Sequence, residues 1–414
     1  MINPNSRNTP GNRVISDEKV VVTPNDPPGA EPACFDDPQT DLGGFAPAQL
    51  KRNMFYCIML DVIWTMGWAD FSLALQPLLV YLEASNTVIG IVSGATFMGL
   101  FGMFVTPWIS RRFRYKKWYL IAVNIPYIGA IGAVGLAVVM SHRLNIPDPT
   151  VLKLVFWLIL LHMFCAGFVA LPHQEYVAAC IPASHRGRLT GLSISMGSLL
   201  AIGSTAIGGV VLLRVAQPMA FGYLFLMTWA ICQGGYVFAA FAKERPTPVE
   251  CAPKPWTRDM LAAVWYDKPY VRYLTAWSAV TLLFYLVAPF TMVYALRELK
   301  LPVAIVAVVA LIHQVVRTVL SAPAGAFVDR VGAKRIMPYW PGGLSLGIVA
   351  ILAFPNQWGL FASTAISAVT VVIASTAYTV LNYGLPSPEN RSGHYTIQLI
   401  LSYGTAALGQ GERI

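Results

Sequence analysis

Five ionisable side chains stand inside long apolar stretches of this 414-residue chain: Asp61, Asp70, His162, His313 and Arg317. An ionised group at mid-bilayer depth costs about 2.5–3.5 kcal/mol even on the lenient insertion scale, so each needs a partner or water. Two kinds of chemistry follow. Opposite charges at matched depth pair: Asp61 lies seven residues from one end of its apolar run and Arg317 eight from the corresponding end of its own, which is about 10–12 Å in each case. The spacing predicts an ion pair between them, with His313 one turn from Arg317 on the same face. Groups that change charge near neutral pH exchange protons: an imidazole such as His162 has an ordinary pKa of about 6.5, and Asp70, nearer the opposite membrane face, is a second candidate carrier.

Asp61, Thr65, Trp68, Ser72 and Gln76 recur at steps of four, three, four and four, which places them on one helix face. Asp70 is nine residues from Asp61, about half a turn out of phase at 3.6 residues per turn. Both acids face one cavity only if Gly67 bends the helix. The cysteines Cys34, Cys57, Cys165, Cys180, Cys232 and Cys251 are scattered without a C-x-x-C spacing, so neither a metal site nor a disulfide framework is expected.

The elements that must position these groups are membrane helices. Apolar residues make up 56% of the chain and charged ones 12%, and mean hydropathy is positive, a composition that lipid tolerates and a soluble surface does not. Runs long enough to cross the hydrocarbon core as helices fall at 54–80, 87–109, 118–140, 152–172, 189–213, 218–241, 273–296, 301–325, 336–354, 358–383 and 395–410. Lys and Arg divide between alternate connecting segments 22 to six, which puts the basic segments and the N-terminus in the cytoplasm. That bias accounts for the formal charge of +9 without a nucleic-acid partner. Residues 1–48, rich in Pro, Asn, Asp and Gly, read as a disordered cytoplasmic tail. No signal peptide precedes the first run.

Between two of these runs lies Gly325, Asp329, Arg330, Gly332, Lys334 and Arg335, a G-x-x-x-D-R-x-G-x-K-R pattern. It resembles the loop between transmembrane helices 8 and 9 of the major facilitator superfamily (MFS), in which the acid caps a neighbouring helix and the cations hold a cytoplasmic gate. A shift of 218 residues lays this loop over Pro107 to Lys117, where Arg111 replaces the acid and both glycines are missing. The first copy is therefore degenerate. A weaker echo links Pro182 and Arg186-Gly187-Arg188 with Pro388 and Arg391-Ser392-Gly393.

The resemblance implies an all-α polytopic membrane protein, an MFS-like bundle of two halves. Six helices in 49–241 and five in 271–414 would be joined by a cytoplasmic linker at 242–270, with the family's twelfth helix absent. Helices 1, 4, 7 and 10 line the family's cavity. This makes Asp61, Thr65, Trp68, Ser72 and Gln76, with Trp277, Tyr285, Tyr378 and Asn382 from the later helices, the expected solute-binding wall. Indole, phenol, hydroxyl and amide groups suit a neutral polar solute such as a sugar; Arg317 suits an organic anion. Small residues of helix 5 (Gly191, Ser195, Gly203, Gly208) and of helix 2 (Gly90, Gly94) permit close backbone approach, as a sliding interface between halves requires.

The function implied is secondary transport of a small solute by alternating access, coupled to protons through Asp70 or His162. The expected form is a cofactor-free monomer in the cell (inner) membrane, its partners being the solute, H+ and the lipid bilayer. No phosphate-binding G-x-x-x-x-G-K-[ST] loop occurs, which argues against an ATP-driven pump. Two alternatives stay open: a polytopic membrane enzyme using His162 or His313 with Asp61 or Asp70 as acid and base, and a transporter-shaped sensor without flux.

Overall fold

Backbone amides and carbonyls in hydrocarbon have to be satisfied within each segment, so apolar runs of this length become helices. The structure, a computed structural model, describes residues 45–95, 98–110, 112–246, 262, 265–384, 397–398 and 400–402. Its helices are α1 (Pro47–Tyr81), α2 (Asn86–Gly94), α3 (Met98–Ser110), α4 (Lys116–Leu144), α5 (Asp148–Cys180), α6 (Ala183–Arg214) and α7 (Met219–Phe241). They continue as α8 (Lys268–Arg297), α9 (Ala304–Val331), the short α10 (Ala333–Ile336), α11 (Trp340–Ala353) and α12 (Gln357–Gly384). Among the described residues, each apolar run from 54–80 to 358–383 is thus mainly helical, with 87–109 shared by α2 and α3. The run at 395–410 lies mostly outside the described residues. Nine helices among the described residues are long and apolar enough to span a membrane.

Helices overrun the apolar windows at the basic end. The first starts at Pro47, inside the expected tail; α5 continues eight residues past 172, and α9 runs to Val331. Helical hydrogen bonding does not stop where hydrocarbon stops, and Lys, Arg, Glu and Gln propagate a helix well. The expected loop at 325–335 is therefore corrected to one residue, Gly332, between α9 and α10. Its φ of +91° is a value only glycine adopts without strain.

Two groups of helices emerge from the packing. In the first, α1 lies against α6 and α7, α4 against α5 and α7, and α3 against α5. In the second, α12 lies against α9 and α11, and α9 packs as well against α6 of the first group. The main apolar core belongs to the first group and takes in only Val293, Val306 and Ala307 as buried members of the second. These three sit at the end of α8 and the start of α9, away from the basic segments. There Arg297 also donates to the Asn86 side chain at 2.9 Å and to the Ala84 carbonyl. The basic ends of the second group form a cluster of their own, around Tyr270, Tyr273, Leu274, Val328, Ile336 and Leu381.

At the basic end of the first group, polar side chains tie helix termini together. Asn53 donates to the carbonyls of Cys180 (3.0 Å) and Lys243 (2.9 Å) and accepts from Lys243 N (3.0 Å). Glu244 accepts from the backbone amides of Lys116 and Lys117 and so caps α4, while the buried Lys116 ammonium pairs with Glu175 at 3.3 Å. Burial pushes the Glu244 carboxyl above its ordinary range, and the two amides and two lysines oppose that shift. Glu244→Ala strips both amides of their acceptor and should lower unfolding stability by about 1 kcal/mol, the usual worth of a helix cap. An unchanged melting curve in detergent would contradict this role.

Candidate functional site

A cavity of about 570 Å³ opens between the two groups of helices. α1 contributes Trp64, Thr65, Trp68, Ala69 and Ser72; α8 contributes Met292; α9 contributes Val306, Val309, Ala310, His313, Gln314 and Arg317; α12 contributes Thr364. Along α9 the lining changes from apolar at Val306 to cationic at Arg317, a rise of roughly 16 Å. The hydroxyls of Thr65, Ser72 and Thr364 donate to the carbonyls of Asp61, Trp68 and Leu360 at 2.8–2.9 Å. They therefore present acceptor oxygens to the cavity, whereas Arg317 presents donors.

Of the expected solute wall, Thr65, Trp68 and Ser72 do line this cavity. Gln76 does not; it donates to Ser93 on α2 at 2.9 Å. Trp277 and Tyr378 meet each other, their rings stacked at 3.7 Å, and Trp277 also approaches Trp340 at 4.9 Å. They belong to an aromatic cluster beside Tyr273, away from the Arg317 cavity. Tyr285 and Asn382 stand on α8 and α12, with side chains outside the described residues.

The Asp61–Arg317 pair is not formed. Asp61 Oδ1 lies 3.4 Å from His173 Nε2, both side chains about 30% exposed. Matched depth left the angular direction open. Asp61 faces α5, whose extension beyond residue 172 carries His173 into reach, while Arg317 and His313 face Trp64, Thr65 and Trp68 across the cavity.

Asp70 and Asp61 do sit on opposite sides of α1. Asp70 is completely buried, with Oδ2 accepting from Ser204 on α6 at 2.7 Å and Oδ1 without a hydrogen-bond partner. The out-of-phase placement needs no bend at Gly67. That glycine instead admits α7, since a Cβ there would overlap Cys232 Sγ, and Thr228 donates to its carbonyl at 3.1 Å.

His162 is also fully buried. Its Nδ1 is 2.8 Å from the Tyr127 carbonyl, its ring stacks on Tyr127 at 4.5 Å, and Nε2 has no partner. Trp68 touches both environments, lining the cavity on one side and lying 6.0 Å from the His162 ring on the other.

In the basic pattern, Gly325, Asp329 and Arg330 ride on the last turns of α9, and Lys334 and Arg335 on α10. Arg330, Lys334 and Arg335 are exposed; the Asp329 side chain is outside the described residues. Three polar or aromatic residues of the cavity lining escaped the sequence reading. Trp64 precedes Trp68 by one turn and Gln314 adjoins His313, so both were visible by phase. Thr364 carried no signal without the helix extents.

Residues 56–409 match the sequence profile of the Major Facilitator Superfamily. No curated protein sequence matches the chain. Among solved structures it is similar to nucleoside transporter NupG (TM-score 0.67, 13% identity, 87% of this chain and 90% of that one). A D-xylose-proton symporter is similar too (0.62, 13%, 88% and 90%), as is a POT family transporter in complex with 5-aminolevulinic acid (0.64, 11%, 87% and 89%). At these identities the likeness is one of fold.

Proposed function

Because the chain belongs to the major facilitator superfamily, we propose that it carries a small solute across the membrane by alternating access, driven by protons. The observation that carries this reading is the cavity itself. It is framed by α1 from the first group and α8, α9 and α12 from the second, with the groups latched at the end remote from the basic segments. With the basic segments in the cytoplasm, the latch is external and this is an inward-facing state. Rocking the groups about the cavity would exchange that latch for one at the basic end, where the cations of 330–335 lie.

Proton coupling rests on Asp70 and His162. Each is buried with one polar atom unpartnered, and each adjoins a cavity-lining residue: Asp70 follows Ala69, and His162 stacks against Trp68. A charge held that way in hydrocarbon is costly, so a proton bound and released as the site opens gives both groups a use. The similar fold of a D-xylose-proton symporter is consistent with this. Uptake into proteoliposomes should then rise severalfold when the interior is made alkaline. Asp70→Asn should abolish that acceleration while leaving counterflow of solute intact, and His162→Gln tests the second carrier in the same way. Uptake in the unmodified protein that ignores the gradient would rule out proton drive.

A further inference from the structure

Arg317 is the one permanent cation in the cavity lining, and no Asp or Glu stands among the described residues that share the lining. Its guanidinium has no ion-pair or hydrogen-bond partner among the described residues; the one side chain bonded to this residue, Ser321, donates to its backbone carbonyl. The two acids on α1 are committed elsewhere, Asp61 to His173 and Asp70 to Ser204. A guanidinium stays charged at any physiological pH, and withdrawing it from bulk water without a counter-charge is unfavourable. An arrangement of this kind is balanced when an anion arrives with the ligand. His313 and Gln314, on the same stretch of α9, widen the polar end, and the Gln314 side-chain oxygen has no partner.

The opposite wall is aromatic. Trp64 and Trp68 stack at 5.8 Å with an interplanar angle of 18°, and the far end of the cavity is apolar at Met292 and Val306. Polar head and apolar body thus have separate places within about 570 Å³, a volume within the ordinary range for small-molecule sites.

We propose that the solute is an organic anion: a carboxylate bound by Arg317 through two parallel N–H···O contacts, with its apolar or aromatic part against Trp64 and Trp68. This rests on the reading of the cavity as the solute site. A neutral sugar would leave the guanidinium unbalanced and would use none of the apolar end.

The test is ligand-induced thermal stabilisation of the purified full chain in detergent. Matched acid and amide pairs are compared, benzoate with benzamide and phenylacetate with phenylacetamide, alongside D-xylose and uridine. The expected result is stabilisation by at least one acid and not by its amide. Affinity for that acid should fall about ten- to a hundredfold in Arg317→Gln, as loss of a charged hydrogen-bond pair implies, and less in Arg317→Lys, which keeps the charge but not the fork. Unliganded melting curves of both variants control for folding. Equal response to acid and amide, stabilisation by the neutral solutes and by no acid, or an unaltered response in Arg317→Gln would overturn the proposal. Counterflow of the stabilising acid is measured separately: binding at Arg317 without counterflow would sink the transport reading and leave the anion site standing.

Discussion

Gly167→Leu should yield no folded protein, and Gly167→Ala should lose about 3 kcal/mol or more, at or beyond the top of the usual range for overpacking. A Cβ on Gly167 would overlap the carbonyl of Gly99, and one on Gly102 would come 2.8 Å from the Phe164 carbonyl. α3 and α5 therefore touch backbone to backbone. Thr106 takes advantage of the approach, donating to the Gly102 carbonyl at 2.8 Å and to that of Gly167 at 3.1 Å. Because the obstructing atoms are main chain, no side-chain rotation relieves the clash, and the two helices must part. Gly203→Ala is the control: nothing lies within 4 Å of its Cβ position, and alanine should be neutral or stabilising by up to about 1 kcal/mol. Thermal unfolding and monodispersity of the three variants measure this, and normal folding of Gly167→Leu would contradict the packing described.

The contrast between Gly167 and Gly203 shows where sequence reasoning reached and where it stopped. The helices of the described residues were legible because each has to be apolar around most of its circumference in lipid, and hydropathy reports that directly. Their ends were not. Lys51, Arg52, His173, Glu175 and Arg330 all lie in helices beyond the apolar windows, because hydropathy reports the solvent and not the hydrogen-bonded backbone. Of the glycines of α6 that small-residue spacing pointed to, Gly208 packs against Leu73 of α1 while Gly191 and Gly203 are open in the structure; Gly167 was passed over, since spacing cannot tell which face meets a neighbour.

The site was legible in the same partial way. Helical phase put Thr65, Trp68 and Ser72 on one wall and Asp70 on the opposite side of α1, as the structure has them. Depth alone misassigned the partner of Asp61, which lies beside His173 on the extended end of α5. Gln76 has the right phase but is engaged by Ser93, a neighbour no pattern in α1 discloses. Trp277 and Tyr378, expected in the solute-binding wall, stack on each other away from the Arg317 cavity.

The second large effect concerns the latch at the end remote from the basic segments. Arg297 at the end of α8 reaches Asn86 and the Ala84 carbonyl at the start of α2, holding the two groups of helices together at one end. If the groups rock about the cavity, this contact has to separate once in every cycle. Covalent closure of the same place should then stop flux entirely, while the protein stays folded and the cavity stays occupied by solute from the basic side. Asn86→Cys and Arg297→Cys, combined in a background with Cys34 and Cys251 replaced by serine, supply the attachment points for a short bis-methanethiosulfonate linker, which forms a disulfide with each cysteine as sulfinate leaves and is cleaved by a reductant.

The most direct measurement of the account is solute counterflow in proteoliposomes holding this double-cysteine protein, before linking, after linking, and after the linker is cleaved. Alternating access predicts flux, then its loss to the protein-free background, then its recovery. Counterflow that continues undiminished with these helix ends covalently joined would contradict it.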